Sequence, residues 1–224
     1  MPTFSTDFTP PAALTGLTLE AVLASSAIEL SWDPSALDPA DFNGYRVRRR
    51  IGSGDTEVIG ELSTQSDVTF VDQTAPLNVT LVYSVTQSNL DFESAPAEAS
   101  GELGSPMWWV VTPDDDELTF AIPHVRGVQL VSAKVAETYS PVGRPGKLVV
   151  QDVVQAEDGQ LSFQVRPDQP GMMALLRRIQ AHVDGDLLLK SPEGDVHRVS
   201  IGSISRAYTK LPGLQELTLP FTGV

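Results

Sequence analysis

Ile28-Glu29-Leu30-Ser31-Trp32-Asp33-Pro34 decides the fold class of the first half of this chain. Apolar and polar residues alternate from Ile28 to Trp32, so Ile28, Leu30 and Trp32 share one face of a strand while Glu29 and Ser31 take the other. Asp33-Pro34 ends the strand, because proline has no N–H to give to a ladder. Outward from this stretch the same rhythm repeats. From Pro10 to Leu103, short β-branched and aromatic runs are separated by turn clusters every roughly 8 to 12 residues, with no stretch of helical period. Asn43-Gly44 reads as a turn, Tyr45 to Ile51 as the next strand, and Thr56 to Leu62 as its hairpin partner across Gly52-Ser53-Gly54-Asp55. The pattern predicts a β-sandwich over residues 10–103, preceded by an N-terminal arm over residues 1–9.

Two features of this half invite a functional reading. Arg48-Arg49-Arg50 has the composition of an anion patch, but strand alternation sends Arg49 to the opposite face from its neighbours, so the expectation is a solvated sheet face. Asn78-Val79-Thr80 matches the glycosylation acceptor pattern, and is expected to be a coincidence because no secretory signal is read at Met1-Pro2-Thr3-Phe4.

Pro11, Leu14, Gly16 and Leu17, then Leu30-Ser31-Trp32, Gly44-Tyr45-Arg46-Val47, Thr69-Phe70-Val71-Asp72, and Tyr83-Ser84-Val85 with Asn89 resemble the fibronectin type III pattern in order and spacing. The position where that family carries its corner tyrosine holds Leu81, which has no hydroxyl to bond a neighbouring loop. The resemblance implies a spacer or adhesive module and does not by itself imply a ligand.

Ser100-Gly101-Glu102-Leu103-Gly104-Ser105-Pro106 gathers small, polar and breaker residues where the sandwich ends, so a short linker is expected there, with a second domain over residues 104–224. Met107-Trp108-Trp109-Val110-Val111 opens it. Adjacent tryptophans on a strand face opposite ways, so one enters a core and the other needs a second surface. Further strands are expected at Glu117 to Ile122, Val128 to Val135, Lys147 to Val154 and Gln160 to Arg166, the last two forming a hairpin around Asp158-Gly159. Asp168 and Pro170 signal a helix start. Met172, Leu175, Leu176, Ile179 and Val183 then repeat at helical spacing, predicting one helix near residues 171–183 that Gly185 closes. Asp186 to Lys190 and Asp195 to Ile201 pair across Ser191-Pro192-Glu193-Gly194, and Ile204 to Thr209 and Gln215 to Phe221 supply the last strands.

Tyr139-Ser140-Pro141-Val142-Gly143-Arg144-Pro145 followed by strands, the single helix, Leu187-Leu188-Leu189-Lys190-Ser191-Pro192-Glu193-Gly194 and a terminal strand near Phe221 resemble minor tail proteins of siphophages that infect Gram-positive bacteria. The fold class expected of the whole is therefore mainly β: a fibronectin type III sandwich followed by a split β-barrel with one packed α-helix. The resemblance implies a distal-tail or baseplate component of the virion, made in the host cytoplasm. Its barrel would form a homo-oligomeric ring and meet other tail proteins such as tube and hub. The subunit interface is then expected around Trp108, Trp109, Tyr139, Gly143, Arg144 and Pro145.

Composition narrows the alternatives. With 224 residues, 41% hydrophobic and 20% charged, the chain suits two folded domains. A formal charge of -14 disfavours nucleic-acid phosphate and anionic lipid as partners, and no apolar run approaches the roughly 20 residues of a membrane span. The absence of cysteine excludes disulfides, thiolate catalysis and Cys-based metal sites. His124, His182 and His197 fall on separate elements without metal-ligand spacing, and Asp114-Asp115-Asp116-Glu117 lacks the alternation and glycine of a calcium loop. There is no nucleophile elbow and no phosphate-cradling loop, since Gly143-Arg144-Pro145-Gly146 has a proline where an N–H is wanted. No catalytic residue, metal or cofactor is expected, and the chain reads as no enzyme. The competing reading is a carbohydrate-binding or adhesion module on a fibronectin type III spacer, with Trp108 or Trp109 stacking on a host surface sugar. The start, Met1-Pro2-Thr3-Phe4, lacks the basic and apolar regions of an export signal, which weighs against it. A cell-wall hydrolase is a third class, and its catalytic signature is not visible.

Overall fold

The computed structural model describes residues 10–89, 92–113, 115–122, 124–131, 136–139, 148–151, 158–166, 170–181, 187–208 and 214–223. The chain divides into two compact units between Ser105 and Pro106. The expected N-terminal arm, residues 1–9, lies outside the described residues.

In the first unit the strands are β1 (Thr18–Val22), β2 (Ala27–Ser31), β3 (Phe42–Ile51), β4 (Thr56–Leu62), β5 (Thr69–Asp72), β6 (Leu81–Asn89), β7 (Phe92–Glu93) and β8 (Ala97–Gly101). They form a three-stranded sheet, β1-β2-β5, and a five-stranded sheet, β4-β3-β6-β7 with β8 also on β6. This division of strands is that of a fibronectin type III-like sandwich. The alternation that begins at Ile28 buries Ile28, Leu30 and Trp32, and the facing sheet contributes Tyr45, Val47, Leu81, Tyr83 and Val85. The Tyr45 ring meets Trp32 and Phe42 edge-on, at 5.4 and 4.8 Å between centroids. Its hydroxyl accepts from Ser35 N at 2.8 Å and donates to the Gln65 carbonyl at 2.9 Å, a loop anchor that Leu81 cannot supply.

Two expectations for this half are corrected. Asn43-Gly44 is not a turn but part of β3, at a register shift against β6. A Cβ on Gly44 would lie 2.8 Å from the Leu62 carbonyl oxygen, so the glycine permits a close crossing of strands. The stretch from Ser100 to Ser105, expected as a short linker, belongs to the first unit instead. Ser100 and Gly101 belong to β8, and a Cβ on Gly101 would strike Leu19 at 2.6 Å. Leu103 is fully buried and bridges Leu77 in parallel. Asn78, held at φ 55°, takes hold of the segment's end. Its Nδ2 donates to the Ser105 carbonyl at 2.6 Å, its Oδ1 accepts from Ser105 N at 2.8 Å, and its own N–H donates to the Leu103 carbonyl at 3.0 Å.

Asn78→Ala removes both side-chain bonds and places a Cβ-bearing residue without asparagine's local compensation at positive φ, an expected loss of about 1–3 kcal/mol. Asn78→Gly keeps the backbone relaxed and isolates the cost of the bonds. Limited proteolysis is the measurement. The wild-type chain should resist cleavage between Gly101 and Ser105, and Asn78→Ala should open that stretch. Equal cleavage of the two would overturn the clasp.

The second unit contains β9 (Trp108–Val111), a 3-10 turn (Asp116–Leu118), β10 (Phe120–Ile122), β11 (Val125–Val131), β12 (Ala136–Tyr139), β13 (Leu148–Gln151), β14 (Asp158–Val165), α1 (Pro170–Ala181), β15 (Leu187–Lys190), β16 (Val196–Ile201), β17 (Ser205–Tyr208) and β18 (Gln215–Gly223). Eight of the strands make one sheet in the order β10-β9-β15-β16-β18-β14-β11, with β17 also on β18; β12 and β13 pair separately. Alternation places Trp108, Val110, Leu187, Leu189, Val199, Leu217, Leu219, Phe221, Leu161 and Phe163 in one core, onto which α1 lays Leu176 and Ile179. The chain is thus mainly β with a single α-helix among the described residues. The sheet's two ends, β10 and β11, do not pair with each other there, so closure into a ring is not part of the described fold.

The hairpin expected around Asp158-Gly159 does not form. Both residues lie within β14, which pairs with β11 on one side (Gly159 opposite Leu130) and β18 on the other (Gly159 opposite Phe221). A Cβ on Gly159 would sit 2.5 Å from both the Gln129 carbonyl oxygen and the Phe221 ring, so close packing demands the glycine. The strand expected from Glu117 begins as the 3-10 turn and starts at Phe120. The β15–β16 hairpin and the two last strands stand where the sequence placed them. Asp168, Val183 and Gly185 lie outside the described residues, as do residues 132–135 and 152–154 of the expected strands.

Candidate functional site

A groove in the second unit is lined by one end strand of the sheet, β11, together with β9 and the β15–β16 turn. Trp108, one strand in from the β10 edge, lines it together with Val128 and Leu130 of β11, the other edge, and with Glu193 and Asp195 of the β15–β16 turn. The volume is about 370 Å³. Val128 stands opposite Leu161 and Leu130 opposite Gly159, so both point to the core-facing side of the sheet. They are nevertheless 39% and 43% exposed, because the sheet ends there and no further strand follows among the described residues. The turn that brings in the carboxylates is set by Ser191, whose N–H donates to the Asp195 carbonyl at 2.9 Å and whose Oγ accepts from Asp195 N at 3.0 Å. The result is an apolar slot with an acidic lip beside a strand edge that has no partner among the described residues. It offers shape and charge for a partner and holds no nucleophile.

Of the expected interface residues, the structure brings only Trp108 to this groove. Trp108 and Trp109 are each 8% exposed. Trp108 belongs to the unit's core, and Trp109 is buried on the opposite face of β9. The expectation that one ring enters the core while the other needs a second surface meets a strand whose two tryptophans are both buried. Tyr139 is the last residue of β12, paired with Leu148 of β13. Gly143, Arg144 and Pro145 lie outside the described residues. Val128, Leu130, Glu193 and Asp195 were not legible as a site, since nothing in a sequence announces which strand ends a sheet.

The acidic turn before β10 has a partner within the unit. Arg178 of α1 approaches Glu117 at 3.2 Å and Asp115 at 3.8 Å, fixing the helix to the 3-10 turn. Among the described residues no group of three or more His, Asp or Glu side chains converges in the manner of a metal site.

The arginines of β3 are arranged as alternation requires but not as a solvated face. Arg46 and Arg48 share Glu93, Arg48 at 2.6 Å, and Arg46 also binds Glu61 at 2.8 Å. Arg49 turns into the sandwich, 7% exposed, where its Nη1 donates to Asp72 at 2.7 Å and to Thr74 Oγ1 at 2.9 Å while Nε and Nη2 reach Glu57. Asp72 is itself buried and accepts in addition from the Tyr83 hydroxyl at 2.8 Å and from the backbone N–H and hydroxyl of Thr74. Burial, with the Asp72 charge beside it, pushes the Tyr83 phenol far above its ordinary value. Burial also works against the Arg49 charge, but Asp72 and Glu57 outweigh it and hold the guanidinium above its usual range. A second, polar groove of about 340 Å³ lies beside Arg46, Glu61 and Glu93, its charges already matched to one another.

Glu93 is partly desolvated, yet its hydrogen bond from Arg48 and the charges of Arg48 and Arg46 hold its carboxyl below the ordinary range. A depressed folded-state value means that stability is present above the unfolded value of about 4.3 and is lost as pH falls through the folded one. Acid unfolding of the first unit should therefore set in below that pH, and Glu93→Gln should flatten this part of the profile. An unchanged acid limb in Glu93→Gln would remove Glu93 from the account.

Compared with known proteins, the chain matches no family and no curated protein. Solved structures are similar in fold. A Fn3-like protein from Clostridium thermocellum is 22% identical over 41% of this chain and 92% of its own, with a TM-score of 0.35. A two-domain fibronectin type III segment from chicken tenascin is 13% identical over 67% and 89%, with a TM-score of 0.37. The twitchin kinase region from C. elegans is 12% identical over 96% of this chain but only 40% of its own, also with a TM-score of 0.37. Likenesses at this level carry no argument, and the description of the first unit rests on its strand order.

Proposed function

We propose that the chain is a structural component of a siphophage tail or tail tip, assembling with copies of itself and with neighbouring tail proteins through its second unit. The observation that carries this reading is the groove beside the end strand β11. Exposed Val128 and Leu130 lie on the edge strand β11 beside Trp108, a surface that a neighbouring subunit would complete by strand pairing and apolar contact. The sequence resemblance over residues 107–224 supplies the virion context, and the fibronectin-like sandwich acts as an appended spacer. No catalytic step is assigned.

Val128→Glu with Leu130→Glu tests it. Both side chains are exposed, so the variant should fold with unchanged circular dichroism and stability, while an added pair of carboxylates beside Glu193 and Asp195 should block association. Failure to enter tails in complementation of a phage lacking the gene is the expected result. Wild-type incorporation of the folded variant would sink the reading. Retained incorporation with lost adsorption to host cells would favour the carbohydrate-binding alternative.

A further inference from the structure

The two units differ in charge. Residues 1–105 contain 15 acidic side chains against 4 arginines, whereas residues 106–224 contain 14 acidic against 11 basic. Several arginines are already matched: Arg46, Arg48, Arg49 and Arg178 all sit on carboxylates. Arg177 and Arg206 are different. Both are exposed, and neither makes an ion pair among the described residues. Among the described residues Arg206 reaches only the Met173 sulfur, at 4.0 Å.

These two arginines line one small groove, about 90 Å³, with Met173, Leu176, Gln180 and Ile204. Its walls are α1 and β17. Arg206 stands opposite Leu217 of β18, a core residue, which aims it toward the helix side of the sheet. Strand β17 pairs only with β18, so its other edge is open among the described residues, and Ser205, Arg206 and Ala207 are all exposed. An open strand edge supplies unpaired N–H and C=O groups. A flexible thioether beside it supplies adaptable apolar contact.

We infer that the groove between α1 and β17 is a docking site for an extended, carboxylate-bearing segment of a partner protein, which adds as a strand to the free edge of β17. Its acidic side chains meet Arg177 and Arg206, and a small side chain between them rests on Met173 and Ile204. Main-chain pairing gives affinity in such an arrangement, and the arginine pair selects acidic over basic segments. The site is separate from the groove at Trp108 and does not depend on the tail reading.

The test uses the full chain and two short fluorescent peptides, one alternating threonine with glutamate and the other threonine with lysine. Fluorescence anisotropy at low salt should show binding of the glutamate peptide, weakening steeply with added salt. Arg177→Glu with Arg206→Glu should lose at least about tenfold of that affinity, close to the effect of one or two charge-assisted contacts. Methylating alternate backbone nitrogens of the peptide should abolish binding, because the strand edge then lacks its donors. Equal binding of the lysine peptide would overturn the proposal, as would affinity unchanged in the double variant or in the methylated peptide. Salt-sensitive self-association abolished by Arg206→Glu, with no peptide binding, would assign the groove to a second copy and overturn it equally.

Discussion

Asp72→Ala should destabilise the first unit by about 3–5 kcal/mol, the usual cost of removing one member of a buried ion pair. The carboxylate is buried between the sheets and accepts from Arg49, Tyr83 and Thr74 at once. Deleting it strands the Arg49 guanidinium, which stays charged because a guanidinium does not give up its proton in a protein, and leaves the Tyr83 hydroxyl without its acceptor. Glu57 still binds Arg49 but stands half in solvent and cannot reproduce the inward contact. Replacing all three members together, Arg49→Met, Asp72→Leu and Tyr83→Phe, should recover most of the loss, because no unpaired polar group then remains. Urea unfolding followed by circular dichroism separates the cases through the shift in midpoint. A loss below about 1 kcal/mol in Asp72→Ala would mean that the pair is not desolvated as its burial indicates.

Trp108→Ala carries the other large effect. The ring is part of the core that joins β9, β14, β15, β18 and α1, and truncating a buried aromatic of this size costs about 3–5 kcal/mol. Loss of assembly in that variant would therefore report unfolding of the second unit and nothing about an interface. Trp108→Phe retains most of the buried surface and should cost less than half as much. Thermal melts of the two variants decide the matter. A wild-type melting temperature in Trp108→Ala would show the ring to be dispensable to the core and return it to the surface. The exposed Val128 and Leu130 are the sounder handles on assembly.

Alternation was enough to place most of the strands, though not their pairing. The period-two run at Ile28–Trp32 gave a strand with its buried face, Tyr45–Ile51 and Gln215–Phe221 were legible as strands, and the 3.6-period stripe around Leu176 and Ile179 gave the helix. Glycine was harder to read. At Gly44, Gly101 and Gly159 the sequence offers the same letter that marks turns and linkers, yet each glycine is there because a neighbouring atom leaves no room for a Cβ. Local sequence cannot distinguish these uses, since the intruding atoms, from Leu62, Leu19 and Phe221, arrive from distant strands. The same limit governs Arg49. Its separation from Arg48 and Arg50 was legible, but its burial depends on Asp72, 23 residues away. The candidate groove brings Trp108 to Val128 and Leu130, on separate strands, without any shared motif.

The clasp at Asn78 has a mechanical consequence. Only Pro106 and Met107 lie between Ser105, held by that side chain, and Trp108, the first residue of β9. Tension applied to the chain from the second unit has almost no slack to take up before it reaches the sandwich. It arrives first at the two Asn78 side-chain bonds and the Asn78–Leu103 bond, and only then at the β8 ladder. Those three bonds act as a strain relief that lets go before β8 begins to peel, so under load this sandwich should yield in two stages, with the shorter extension first.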